Sequence, residues 1–284
     1  MREASISKIE RSDLVAPAID PGATAIILQR HEDYDRAHGS VLPYSAAEAF
    51  NTNTILFETL ADHEQDNATM MLFVASDSRR GQGYRSLETA QVAQDAAAQV
   101  LQARGINPSD RIINLSDAFI MHSASATKQA IRSMANLREP RIFETPAYVE
   151  YLKEKYGTRD NGLSQAAWAA HEADQEKDVR EALDAESVYD IVDRTKLSIA
   201  YLVRYASWFH AKNPGKRLLI WAATHYDTIS PLVKDATGTA FTERVPVDYG
   251  AGVILTIPTD SREVTLQAQN QAVVLGLGKA SLDR

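Results

Sequence analysis

TAIILQRHEDYDR, Thr24 to Arg36, passes from an apolar run into a cluster of ionic side chains within a few residues. Its short β-branched core predicts a buried strand over Ala23–Gln29. Arg30 and His31 would then stand at the strand's carboxyl end, with Glu32, Asp33 and Asp35 crowding behind them. In open α/β sheets, ligand sites lie beyond the carboxyl ends of the strands. A second apolar run, RLLIWAATH (217–225), also ends on a histidine, His225. Two such strand ends, nearly 200 positions apart, can face one pocket.

Outward from this stretch, strands and helices alternate. ATMMLFVAS (68–76) reads as a strand and RIINLS (111–116) as a weaker one. AGVILTIP and EVTLQAQ, separated by TDSR, predict a hairpin near the C-terminus. Ser45 is the expected N-cap of a helix carrying Ala46, Ala49, Phe50, Ile55, Leu56 and Leu60 on one face. A second helix places Leu87, Ala90, Ala97, Val100 and Leu101 together, with Gly105 as its C-terminal stop. A third, over 187–212, repeats Leu197, Tyr201, Tyr205 and Trp208 and stops at Asn213-Pro214-Gly215. This alternation predicts an α/β layered fold. One domain is expected over 1–284: a loose N-terminal extension (1–22), and a polar, alanine-rich helical excursion (117–190) capping the site and shaping substrate choice.

Composition narrows the chemistry. With 284 residues, 44% hydrophobic and 24% charged, the chain is an ordinary globular one. Its net charge of −8, without any basic stripe, argues against nucleic acid as a partner. The absence of cysteine excludes disulfides, thiolate catalysis and cysteine metal sites. No segment has the length of a signal peptide's apolar core or a membrane span, so a soluble cytoplasmic protein is expected, with a homodimer left open.

Arg85 in YRSLETAQVA opens the second helix, shortly after the strand ending at Ser76. With Arg30-His31-Glu32, LLIWAATH and this Ser76…Arg85-Ser86-Leu87-Glu88-Thr89-Ala90 stretch, the sequence resembles the histidine phosphatase superfamily. The similarity runs from about Thr24 to the final strands. It implies a phosphoglycerate-mutase-like fold, a three-layer α/β/α sandwich on a mostly parallel sheet. It implies a phosphatase that hydrolyses small-molecule phosphomonoesters without metal or cofactor. His31 would be the nucleophile and form a phosphohistidine. Arg30 and Arg85 would grip the phosphoryl oxygens with planar guanidinium forks, and His225 would add a donor. Glu144, in the excursion, is the first choice of proton donor, Asp227 the second and Glu150 the third.

The sequence departs from the pattern at Glu32, where the family has glycine. A carboxylate there would repel phosphate unless it turns away or serves as the acid. Ala37 replaces the mutase branch's asparagine, which favours hydrolysis over mutase chemistry. Arg79 and Arg80 compete with Arg85 as phosphate ligands, and Arg36 is a spare cation within reach of substrate or of Asp33 and Asp35. His38, His63, His171 and His210 read as surface or partly packed, His122 as a weak candidate for the site, and Trp168, Trp208 and Trp221 as packing residues. A second reading is metal-dependent hydrolysis through His31, Asp33, Asp35, His63 and Asp227, although no HExxH motif is present. A third, prompted by Glu32, is a catalytically weak phosphate-binding or regulatory module.

Overall fold

The computed structural model describes residues 6, 8–62, 69–76, 84–113, 131–159 and 162–277, with only the backbone of Arg132. Two β/α units and a third strand open the chain: β1 (Thr24–Arg30), α1 (Pro43–Asp62), β2 (Thr69–Ala75), α2 (Arg85–Ala103) and β3 (Ile131–Ser133). An excursion follows, with α3 (Pro146–Tyr156), the two-residue pair β4 (Thr158–Arg159) and β5 (Gly162–Leu163), α4 (Gln165–Glu172) and α5 (Lys177–Ala182). The chain returns through α6 (Val188–Lys212), β6 (Arg217–Thr224) and α7 (Tyr226–Thr237), and ends in β7 (Gly252–Ile257), β8 (Thr265–Ala268) and β9 (Gln271–Val274).

The main sheet has the order β3-β2-β6-β1-β7-β8-β9. Its first four strands are parallel, and β7, β8 and β9 continue antiparallel. Strand alternation divides the core into two layers. Ile26, Leu28, Leu72, Val74, Leu218 and Ile220 pack on one face with α6 and α7 residues such as Leu202, Val203, Leu232 and Val233. Ala25, Ile27, Met71, Phe73, Leu219 and Trp221 pack on the other with α1 and α2 residues such as Phe57, Leu60, Ala93 and Ala97. Burial on both faces explains why β1, β2 and β6 read as continuous apolar runs. The result is the expected α/β/α sandwich on a mostly parallel core.

Four local expectations need correction. Helix α1 begins at Pro43, so Ser45 is not its N-cap; its hydroxyl is buried and bonds Glu32 and the Asp33 amide. Proline suits a first turn because its missing N–H has no acceptor there anyway. On α6 the stripe of Leu197, Tyr201, Tyr205 and Trp208 is the outer one: Tyr201 and Trp208 are about half exposed, and Ile199, Leu202, Val203, Ala206 and Phe209 face the core. The extension is not loose where it is described. Ile6, Ile9 and Leu14 are buried, and Ile9 bridges Val247. The excursion is also shorter than 117–190, because β3 belongs to the main sheet. From α3 onward it builds a core of its own around Ile142, Tyr148, Leu152, Leu163 and Ala167.

The predicted β7–β8 hairpin, the Gly105 stop (φ +73°) and the core position of Trp221 are all present. Of RIINLS, Ile112 forms a parallel bridge to Met71, while 114–116 lie outside the described residues. Among the described residues, no helix is long and apolar enough to cross a membrane.

Candidate active site

The carboxyl ends of β1 and β6 lie side by side, since Arg30 pairs with Thr224. The next residue on each strand is a histidine, and the His31 amide bonds the Thr224 carbonyl at 2.8 Å. The two imidazoles meet edge to face, with ring centroids 5.1 Å apart. Helix α2 begins at this level and helix α7 starts directly after His225, so two helix N-termini flank the pair. Their positive dipole ends favour an anion. Thr89, one turn into α2, accepts the Glu32 amide at 2.9 Å and so joins the helix to the end of β1.

His31 is buried, and its two nitrogens are distinguished by their partners. Nδ1 lies 2.7 Å from the Glu32 carbonyl, which can only accept, and Nε2 takes a hydrogen bond from Arg85 Nε at 2.9 Å. The proton therefore sits on Nδ1 and the lone pair on Nε2. Burial, with His225, Arg85 and Arg30 close by, holds the ring neutral well below the usual histidine pKa. His225 is fixed by Ser76 Oγ at 2.9 Å and Ser86 Oγ at 3.3 Å from Nε2, and its Nδ1 lies 3.4 Å from Arg85 Nη2.

Both expected arginines are here. Arg30 bonds the Val247 carbonyl, and its guanidinium stacks 3.8 Å over the Tyr249 ring. Arg85 lies beside the Tyr34 ring and is paired with Glu139 at 2.7 Å. Arg30 Nε and Arg85 Nη1 are buried donors without a hydrogen-bond partner among the described residues. They line a cavity of about 420 Å³ shared with His31, His225, Glu139 and Asp227.

Asp227, in the first turn of α7, reaches the cavity wall. Burial, with the Glu172 carboxylate nearby, pushes its pKa up to about 7, against the pull of Arg30. Glu144 is not in this cavity. It is about half exposed and pairs with Arg138 and Arg141, because it closes a short 3₁₀ turn that points it outward. Glu150 is likewise exposed and pairs with Lys153. The glutamates that the excursion does bring to the cavity are Glu139 and Glu172, both of which sequence reasoning missed. Glu139 stands beyond the carboxyl end of β3, after the 3₁₀ turn Ala135–Leu137. Recognising IRSM as a fourth parallel strand would have exposed it.

Glu32 does not face the cavity either, so it is not a phosphate ligand. It is buried on the other side of the chain, where Arg11 pairs with it and Ser45 donates a hydrogen bond of 2.9 Å. Arg11 also bonds the Tyr249 carbonyl, at 3.3 Å and 3.4 Å. Arg36 is exposed and is not among the cavity residues. Arg79, Arg80, His63 and His122 lie outside the described residues. Asp33 accepts a hydrogen bond from Tyr44, and Asp35 pairs with His38. Among the described residues, no three histidine, aspartate or glutamate side chains gather to hold a metal. His171 is fully buried beside Tyr148 and Trp168, contrary to its expected partial exposure, and burial lowers its pKa to about 4. Trp168 lines the cavity rather than only packing.

A neutral imidazole among arginines, at the carboxyl edge of a mostly parallel sheet, has the charge and geometry to suit an anion. The fold around it is the phosphoglycerate-mutase-like α/β fold. The chain is similar to phosphoglycerate mutase from Bacillus anthracis str. Sterne, with 16% identity and a TM-score of 0.50 over 88% of this chain and 93% of that one. A mycobacterial hydrolase matches with 15% identity and a TM-score of 0.48, over 88% of this chain and 100% of the other. Multiple inositol polyphosphate phosphatase from Bifidobacterium longum matches with 10% identity and a TM-score of 0.48, over 92% and 88%. No protein-family model matches the sequence, and no curated protein matches it significantly.

Proposed function

We propose that the protein hydrolyses phosphomonoesters through a phosphohistidine formed on His31. The observation that carries this is the fixed tautomer of His31: Nδ1 is held by the Glu32 carbonyl, and the Nε2 lone pair faces Arg85 in the cavity. Phosphoryl oxygens take over the donors of Arg30 and Arg85, which releases that lone pair for in-line attack. With Arg85 so engaged, a serine hydroxyl donating to His225 Nε2 leaves the proton on Nδ1, available to the phosphate.

The Nε2–P bond forms as the ester P–O bond breaks, and the protonated Asp227 carboxyl gives its proton to the leaving oxygen. Water then attacks phosphorus and returns a proton to the Asp227 carboxylate. The N–P bond breaks, and inorganic phosphate and neutral His31 are restored. A carboxyl that titrates near 7 suits both halves of this cycle. Glu139 holds Arg85 in place through its 2.7 Å pair. Oxyanion stabilisation by the two arginines and His225 supplies the largest part of the rate.

The test is hydrolysis of 4-nitrophenyl phosphate with and without EDTA, by the native protein and by His31→Ala. Turnover insensitive to EDTA, abolished by the substitution, and an acid-labile, base-stable phosphoenzyme are expected. Loss of turnover with EDTA would instead select the metal-dependent reading. Phosphate binding without any turnover would select the regulatory one. Asp227→Asn should slow an alkyl phosphate by about 10²–10⁴-fold and the better leaving group 4-nitrophenol far less. The same pattern in Glu139→Gln, and not in Asp227→Asn, would transfer the proton to Glu139.

A further inference from the structure

Residues 138–140 lie between the 3₁₀ turns Ala135–Leu137 and Arg141–Glu144, so no helix or strand fixes the backbone that carries Glu139. Side chains hold it instead. Arg194, in the second turn of α6, donates from Nη1 to the Asn136 and Arg138 carbonyls at 2.5 Å and 2.9 Å, and from Nη2 to the Glu139 carbonyl at 3.4 Å. Thr224 Oγ1 bonds the Leu137 carbonyl at 2.6 Å, so four successive carbonyls accept from side chains. Arg194 Nε pairs with Glu186 at 2.8 Å, and the other oxygen of Glu186 accepts the Arg141 amide at 2.6 Å. Every nitrogen of the Arg194 guanidinium is thus engaged, and the side chain is only 12% exposed. Buried carbonyls need donors, and this one side chain serves three of them. Arg194 does not itself line the cavity.

Resting on the phosphatase reading above, we infer that Arg194 is a positioning residue for phosphate capture: through the backbone of 136–139 it holds the Glu139 carboxylate against Arg85, and through Arg85 it sets how tightly the cavity grips an anion. Arg85 gives Nε to His31 and Nη2 to Glu139, which leaves Nη1 as its buried donor without a hydrogen-bond partner among the described residues. A displaced Glu139 lets this guanidinium turn, and the anion must then order it on binding. Arginine suits the task because its planar fork reaches several carbonyls at once. A lysine ammonium keeps the charge opposite Glu186 but is a compact group without that reach.

The test is a double-mutant cycle between Arg194→Lys and Glu139→Gln with two readouts. The first needs no ligand: the Arg85 Nε–H resonance in heteronuclear NMR, assigned by its loss in Arg85→Lys. Arg194→Lys should move this resonance in the native background and leave it in place once Glu139→Gln is present. The second is calorimetric binding of inorganic phosphate, with KM and kcat for 4-nitrophenyl phosphate measured alongside. Arg194→Lys should weaken phosphate binding by about threefold or more and raise KM to match, with kcat held within about twofold; in the Glu139→Gln background the same substitution should change binding by less than about twofold. Effects that add across the two substitutions, or an Arg85 resonance that does not move, would reduce Arg194 to a support of the fold and overturn the inference. Should Arg194→Lys fail to fold, Glu186→Gln, which weakens the pair while leaving the Arg194 carbonyl bonds available, enters the same cycle with the same expected non-additivity. A coupled Arg85 resonance in a protein without turnover would defeat the phosphatase reading alone.

Discussion

Glu32 shows how one side chain can depart from a motif without spoiling it. Its amide and carbonyl serve the site, bonding Thr89 and His31, while its carboxylate turns away to Arg11 and Ser45. Burial still raises the Glu32 pKa, against the pull of Arg11. Removing one partner of a buried ion pair leaves the other charge uncompensated, typically at 3–5 kcal/mol. Arg11→Met should therefore lower urea stability by about that amount, and adding Glu32→Gln should recover much of it in a double-mutant cycle. Asp227 offers a pH test. Its folded pKa of about 7 lies above the ordinary 3.8, so its contribution is complete below 3.8 and is lost as pH rises through 7. Asp227→Asn does not titrate. The variant should gain on the native protein by about 2–3 kcal/mol between pH 5 and pH 8, read by urea unfolding at both values. In the native protein, kcat/KM should fall as pH rises past about 7, where the proton donor is lost. The acid limb should lie well below the usual histidine pKa, because His31 resists protonation.

Among the elements, β1, β2 and β6 were legible because burial on both sheet faces makes them uniformly apolar; the first two helices were legible as helices, but Ile55, expected on the buried face of α1, is exposed and Phe57 is buried instead. The strand-terminal histidines followed from that placement, and Arg85 from the resemblance of its stretch to a known family. Helix α6 was read on the wrong side. It carries two stripes at helical spacing, and the aromatic one is more conspicuous than the aliphatic one that packs. Its rings instead lie under cations, Arg204 over Tyr201 at 4.5 Å and Lys212 over Trp208 at 4.6 Å. These contacts let large rings remain at the surface. Strand β3 spans only three residues, too short for a period-2 pattern, and Glu139 was hidden with it. Where β7 joins β1, Gly252 is fixed by close approach: a Cβ there would stand 2.3 Å from the Leu28 carbonyl oxygen. Gly252→Ala should push β7 away from β1 and lower the unfolding midpoint sharply, whereas Gly157→Ala, with open space around its Cβ position, should be limited to the cost of its positive φ. Thermal melts of the two variants side by side check this.

At the scale of the molecule, the extension, the sheet and the excursion each contribute to one cavity. The extension supplies Arg11 behind the site, the strand ends supply Arg30, His31 and His225, the start of α2 supplies Arg85, and the excursion supplies Glu139, Trp168 and Glu172. Deleting residues 1–14 removes the buried Ile6, Ile9 and Leu14 together with Arg11. Large losses of buried aliphatic side chains cost several kcal/mol in sum, so the truncated chain should melt well below the native protein and lose turnover even at temperatures where it stays folded. Circular dichroism melts paired with 4-nitrophenyl phosphate assays separate the two effects.

The clasp from Arg11 to the Tyr249 carbonyl joins positions 238 apart. Tyr249 in turn covers Arg30, so the geometry of this cavity wall depends on a junction between segments remote in the chain. Contacts so remote in sequence form late. During synthesis Tyr249 emerges after Arg11 and after every parallel strand of the sheet, so the wall over Arg30 is completed only once these remote segments have both left the ribosome.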